Sequence, residues 1–284
     1  MPERATVTVL VPTFNEEQNL ADCLSCLTWA DQIIVCDSFS TDRTVEIAKQ
    51  FTEHVHQHEY VDSATQKNWA LATLPIAGDW TLIVDADERV VPELAEEIQA
   101  VLLRDDPECI GYFINRRNYF FGKWIRHAGM YPSWNLRLFR TGVAWYESKK
   151  VDADVHIAQP GRIGRLQHDM LHHTSPTVAF SVQRWNRYST WDALERAKRK
   201  GERDDSAEVT SKTGHVATSA RRLYERLPAK PLVLFLYMYV LRGGFLDGRA
   251  GLYTCGLWAF REFLAGAKLW EIRNNPGVYR RDGY

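Results

Sequence analysis

Three apolar, β-branched runs constrain this chain more than any other feature, because each ends in a polar cluster and leads into a helix-like stretch. "TVTVLVPTF" is stopped by Pro12 and followed by "NEEQNLADCLSCLTWA", with Leu20, Leu24 and Leu27 at helical spacing. "QIIVCDSFSTDRTVEIAKQF" repeats the pattern, with a helix expected from Thr41 or Asp42. "DWTLIVDADERV" precedes "PELAEEIQAVLL", where Pro92 suits a first helical turn, and "SATQKNWALATL" reads as one more helix. Continuous apolar strands alternating with helices specify a mostly parallel sheet covered on both faces. The chain has 284 residues, 45% of them hydrophobic and 25% charged, enough for a substantial core.

In such a sheet, ligands bind in the crevice beyond the carboxyl ends of the strands. Three polar clusters fall there: Thr13, Asn15 and Glu16; Asp37, Ser38, Ser40 and Asp42; Asp85, Asp87 and Glu88. No G-x-G-x-x-G follows the first strand, and no G-x-x-x-x-G-K-[ST] occurs, so a bound nucleotide would be held by side chains and a metal. Asp87 is a hard oxygen ligand suited to Mg²⁺ or Mn²⁺, ions that keep waters and bridge to substrate phosphates. Two acids ending one strand can be mere solvated charges. With Asp37 and Asn15 ending the neighbouring strands, a site is the better reading.

The segments "VLVPTFNEEQNL", "IIVCDSFSTDRT", "QKNWAL" and "LIVDADERV" resemble, in order and spacing, the motifs of family 2 glycosyltransferases, which have the GT-A fold. The resemblance implies an α/β/α sandwich that transfers a sugar from a nucleotide sugar, usually UDP-linked, with inversion. By position, Pro12, Thr13, Asn15 and Glu16 would line the nucleoside pocket and Asp37 would accept from the base. Gln66, Lys67 and Asn68 would sit beside the uridine and phosphates. Asp85 and Ala86 would face the ribose or sugar, and Asp87 would bind Mn²⁺ or Mg²⁺. Further on, "MYPSWNLRLFR", "RWNRYSTWDALERA" and "YMYVLRGGFLDGRAGL" are similar to a bacterial subgroup that includes lipopolysaccharide-core β-glucosyltransferases. Trp134 and Arg137 then become candidates for acceptor and diphosphate contacts. Their plainer alternatives are core packing for Trp134 and an ion pair for Arg137.

Members of that subgroup often carry a His-Glu pair after the "RLFR" strand, whereas here Ile157 follows His156. Inversion needs a base on the far face of the sugar. Asp154, Asp152 and Glu147 are the candidates, with Asp154 preferred and His156 as a further metal ligand. The cluster "HDMLHH" reads as structural, with His172 or His173 lining the cleft. Rival readings are a nucleotide-sugar-binding protein without catalysis and a phosphotransferase using Asp85 or Asp87. For the latter, Arg89 breaks the usual D-x-D-x-[TV] pattern.

The predicted organisation is residues 1–110 as the nucleotide-sugar half, 111–180 as the acceptor half, and 181–284 as a helical extension. A polar loop is expected over 204–217. From Arg221 to Arg273 basic residues outnumber acidic ones among Leu, Phe, Tyr and Trp, a composition suited to lying on an anionic leaflet or packing on a second subunit as a homodimer. The expected setting is the inner face of the cytoplasmic membrane, peripherally, with a glycan or glycolipid acceptor. The formal net charge of -1 gives no reason to expect nucleic acid. Cys23 and Cys26 form a C-x-x-C without a second pair, so buried reduced thiols are expected. No secretory signal and no spanning segment are read.

Overall fold

The computed structural model describes residues 4–147, 155–199, 229–275 and 278–279. Chain order begins β1 (Val7–Thr13), α1 (Leu20–Ser25), β2 (Gln32–Asp37), α2 (Thr44–Ala48), β3 (Val55–Gln57), α3 (Ser63–Thr73), β4 (Trp80–Ile83), β5 (Glu88–Arg89) and α4 (Pro92–Arg104). It continues through β6 (Cys109–Phe120), β7 (Lys123–Trp124), β8 (Trp134–Arg140), β9 (Ala144–Tyr146), β10 (Val155–Ile157), β11 (Arg162–Arg165) and β12 (Met170–Ser175). Helices α5 (Val178–Arg199), α6 (Lys230–Leu236) and α7 (Gly248–Asn274) follow.

The main sheet runs β3-β2-β1-β4-β8-β6-β12-β5. β1 pairs in parallel with β2 on one side and β4 on the other, so the strand order reverses beside it. β8 is antiparallel to both β4 and β6, which makes the sheet mixed. The alternation of side chains along β1 serves both faces. Val7, Val9 and Val11 pack with Leu20, Leu24, Leu94 and Ile98 of α1 and α4. Leu10 faces the other way, with Ile34, Ile83 and the α3 residues Ala64 and Ala70. This is the sandwich implied by the resemblance, with a helical C-terminal region.

α2 starts later than its sequence suggests. Asp42 Oδ1 accepts from Thr44 N at 3.0 Å, and Asn15 Oδ1 accepts from Thr41 N at 2.8 Å, so residues 38–43 form a side-chain-bonded turn. Thr44 and Glu46 then open the helix.

The chain divides into two compact units, Met1–Tyr119 with Tyr131–Thr174, and Phe120–Met130 with Ser175–Tyr284. The sequence-based boundaries near 110 and 180 did not anticipate that residues 120–130 group with the C-terminal unit. Phe120, Ile125 and Ala128 join Trp185, Met238 and Cys255 in one apolar core there. Within that unit α5 and α7 are tied by Arg196–Glu262 and Arg261–Asp192, both at 2.8 Å. Lys268 Nζ adds bonds to Asn186, Ser189 and Thr190. Among the described residues no helix is long and apolar enough to cross a membrane. The expected loop at 204–217 lies outside the described residues.

Candidate functional site

The end of β1 and the turn after β2 form the first polar cluster. Asp37 is fully buried and its carboxylate accepts from Thr13 Oγ1 at 3.2 Å, Ser40 N at 2.9 Å and Gln57 Nε2 at 3.0 Å, as well as from Ser40 Oγ. A base contact to Asp37 would have to share those oxygens. Asn15 takes positive φ (54°) and donates its N–H to Ser40 Oγ at 2.8 Å. Glu16 N donates to Thr44 Oγ1, and its carboxylate accepts from Asn19 at 2.8 Å. Pro12 is half-buried and Thr13 buried beside them.

The α3 residues split their work. Gln66 Nε2 donates to Cys36 O at 2.8 Å and Ser38 Oγ at 2.7 Å. The Asn68 side chain donates to Tyr146 O at 2.8 Å and accepts from Tyr146 N at 2.7 Å. Both amides therefore brace the frame, Gln66 at the end of β2 and Asn68 at the end of β9. Lys67 reaches Asp85 Oδ1 at 2.8 Å, with the buried Tyr146 ring 5.2 Å away.

Asp85 is the most constrained acid of the DAD segment. Its other oxygen accepts from Arg137 Nη2 at 2.6 Å, and its backbone N–H donates to Glu88 at 2.9 Å. Arg137 Nη2 also donates to Glu88 Oε1 at 2.8 Å, where Arg116 adds a longer bond of 3.3 Å. Burial alone would raise the Asp85 pKa, but Arg137 and Lys67 overcome it and hold the carboxyl well below the usual range. Burial opposes the charge on Arg137 too, yet Asp85 and Glu88 push its pKa well up. The ion-pair alternative for Arg137 is thus what the fold displays. Ala86 is buried between the two acids.

Asp87 points to a different partner. Its Oδ2 lies 3.3 Å from His172 Nε2, and its carbonyl accepts from His173 N at 2.8 Å. β5 pairs antiparallel with β12, placing His172 opposite Glu88 and so beside Asp87. His172 Nδ1 lies 2.8 Å from Asn118 Oδ1. An amide oxygen only accepts, so Nδ1 carries the proton there. Nε2 then faces a carboxylate and holds either a second proton or a lone pair offered to a cation shared with Asp87. Cis ligands on a six-coordinate ion at about 2.1 Å lie about 3 Å apart, close to the separation found. The residues thus fit Mg²⁺ or Mn²⁺ completed by phosphate and water, although no group of three His, Cys, Asp or Glu ligands occurs among the described residues.

"HDMLHH" offers His172 or His173 as cleft-lining residues, and the structure adds the pairing of His172 with Asp87, which the sequence pattern does not show. His156, expected as the metal-binding imidazole, lies on β10 opposite Trp145, stacked on that ring at 4.6 Å. Its Nε2 is 3.9 Å from Glu147. The imidazole brought to Asp87 is His172, because antiparallel β12 runs alongside β5. His173 stacks on Tyr119 at 5.1 Å, and burial pushes its pKa down. Trp134 is 36% exposed, with the Arg165 guanidinium 5.1 Å from its ring, so the core-packing alternative does not hold for it. Asp152 and Asp154, candidates for the base, lie outside the described residues. The thiols pack behind the DAD loop, Cys23 Sγ 3.7 Å from Asp85 O and Cys26 Sγ accepting from Val90 N, and burial raises both pKa values. Both are free thiols, as expected.

The lipopolysaccharide core biosynthesis glycosyltransferase LpsC of Rhizobium meliloti (strain 1021) is 27% identical over 288 residues, covering 99% of this chain and 94% of that protein. An uncharacterized glycosyltransferase of Rickettsia typhi is 25% identical over 292 residues, covering 98% and 91%. Among solved structures, S. aureus TarS is similar with a TM-score of 0.45 and 16% identity, over 88% of this chain and 55% of that one. Glucosyl-3-phosphoglycerate synthase from Mycobacterium tuberculosis, in complex with Mn²⁺, UDP and glucosyl-3-phosphoglycerate, gives 0.34 and 20%, over 40% and 44%. The family model described as Glycosyl transferase family 2 matches residues 8–161, which is more than half of the chain and contains all three strand-end clusters. This chain belongs to glycosyl transferase family 2.

Proposed function

We propose that this chain transfers a sugar from a UDP-sugar, with inversion, to a hydroxyl of a glycan or glycolipid acceptor in cell-envelope polysaccharide or lipopolysaccharide synthesis. The observation that carries this reading is the pairing of Asp87 with His172 beside the Asp85 ion cluster, at a strand end of a family 2 chain. The relationship to LpsC supports the envelope acceptor.

Asp87 and His172 would hold Mn²⁺ or Mg²⁺, and that ion, when bound, supplies Lewis-acid stabilisation of the diphosphate leaving group. Thr13, Asn15, Glu16 and Asp37 would form the nucleoside side. Lys67 and Arg137 neutralise Asp85 and keep the strand end rigid, so that Asp87 is presented in one orientation. The acceptor hydroxyl gives its proton to a carboxylate on the far face of the sugar. Glu147, closing β9, is a candidate for that base alongside Asp152 and Asp154. A lipid-linked acceptor would bring the reaction to the membrane face.

The test is turnover of UDP-sugars with and without Mn²⁺, comparing wild type with Asp87→Ala and His172→Ala. Both variants are expected to lose about a hundredfold or more in kcat, the scale of removing one stabilising group from a transition state. Full activity in Asp87→Ala would sink the metal role.

A further inference from the structure

Part of the C-terminal unit carries an apolar surface that its own packing leaves uncovered. From the end of α6 the chain passes through a π-helical turn (Tyr237–Leu241) and a 3-10 turn (Gly244–Asp247) into α7. The inward residues of this stretch, Met238 and Gly244, are buried beside Cys255. The outward ones are Leu236, Tyr237, Val240, Leu241, Phe245 and Leu246, with Leu241 76% and Leu246 61% exposed. Two glycines fix this outcome. A Cβ on Gly251 would lie 1.9 Å from Gly244 O, and one on Gly244 would lie 2.9 Å from Met238 O. Backbone contact that close holds the turn against α7, and the side chains on its far side stay in solvent.

The charges around the turn select its partner. Between 229 and 275 the acids are Asp247, Glu262 and Glu271. Asp247 accepts from Arg126 N, His127 N and His127 Nδ1. Glu262 pairs with Arg196, and Glu271 accepts from the Tyr279 hydroxyl. Arg242 and Arg249 are exposed in the same turn, and Arg242 donates to the uncharged Tyr237 hydroxyl at 3.1 Å. An exposed apolar tip flanked by arginines, with its acids already bonded, matches the headgroup region of an anionic leaflet. A second copy of the chain would bury the same arginines without offering a free acid from this stretch.

We propose that the 236–249 turn docks on a bilayer surface containing anionic lipid. Leu241, Phe245 and Leu246 enter the headgroup–acyl boundary, and Arg242 and Arg249 meet lipid phosphates. The inference rests on the proposed function only for the reason that a membrane-borne acceptor would be near; its residues are separate from the donor site.

The full chain is floated with phosphatidylcholine vesicles with or without phosphatidylglycerol, at low and high salt. Wild type is expected to co-float with the anionic vesicles at low salt and to fall by about tenfold without phosphatidylglycerol or at high salt. The Leu241→Asp/Leu246→Asp double variant is expected to lose co-flotation while keeping its Tm and its UDP–Mn²⁺ thermal shift. Wild type that fails to float, or a variant that floats equally well, overturns the proposal. So does light scattering showing a wild-type dimer that the double variant splits, which would give the face to a second copy. Wild-type flotation that the double variant loses, with no UDP–Mn²⁺ shift in either protein, would sink the donor reading and leave the docking surface standing.

Discussion

His172 and Asn118 show how much one tautomer decides at the residue scale. With Nδ1 donating to Asn118 Oδ1, the imidazole turns Nε2 toward Asp87. In the proposed metal site Asn118 would act through His172, as a positioning residue. Asn118→Leu is expected to weaken Mn²⁺ binding in the presence of UDP by about 10–100-fold, as for other partners that orient a ligating imidazole. Asn118→Asp, which keeps an acceptor oxygen, is expected to restore most of it. Calorimetric titration with Mn²⁺ reads both, and equal affinities in wild type and the Leu variant would remove the orienting role. Arg137 illustrates a different limit. Its charge type was legible, but not that one guanidinium nitrogen would bond both Asp85 and the fully buried Glu88. Strand register set that, and a linear pattern does not carry register between strands 50 residues apart.

At the scale of elements, short contacts between backbones matter more than propensity. "GGFLDGRAG" reads as a string of helix breaks, yet Gly251 lies inside α7. Its value is the space it leaves for Gly244 O. Gly251→Ala, although favoured by helix propensity, is expected to destabilise the protein by about 1–3 kcal/mol through overpacking. Chemical denaturation checks this, and a neutral or stabilising result would mean that the turn relaxes freely. The β12–β5 pairing was equally invisible to periodicity. "ERV" is too short to signal a strand, and "MLHHTS" mixes polar and apolar residues without alternation. β1, β2, β4, α3 and α4 were legible because burial on both faces, or a clean N-terminal signal, writes itself into composition.

For the whole molecule, donor binding should be visible as stability. A ligand that binds only the folded state adds RT ln(1 + [L]/Kd), about 2.7 kcal/mol at a hundredfold excess over Kd. A UDP-sugar with Mn²⁺ is therefore expected to raise Tm by several degrees in a thermal-shift screen, and less without the metal. No shift with any nucleotide sugar would count against the donor pocket. The sequence by itself determined the strand–helix alternation, the polar strand ends and the family, because those depend on which residues follow one another. It also singled out Asp87 as the candidate metal ligand. Only the tertiary structure decided that His172 rather than His156 meets Asp87, that Lys67 and Arg137 neutralise Asp85, and that residues 120–130 group with the C-terminal unit. Each of these depends on the pairing of segments far apart in the chain, fixed by the packing of the whole and not by any local pattern.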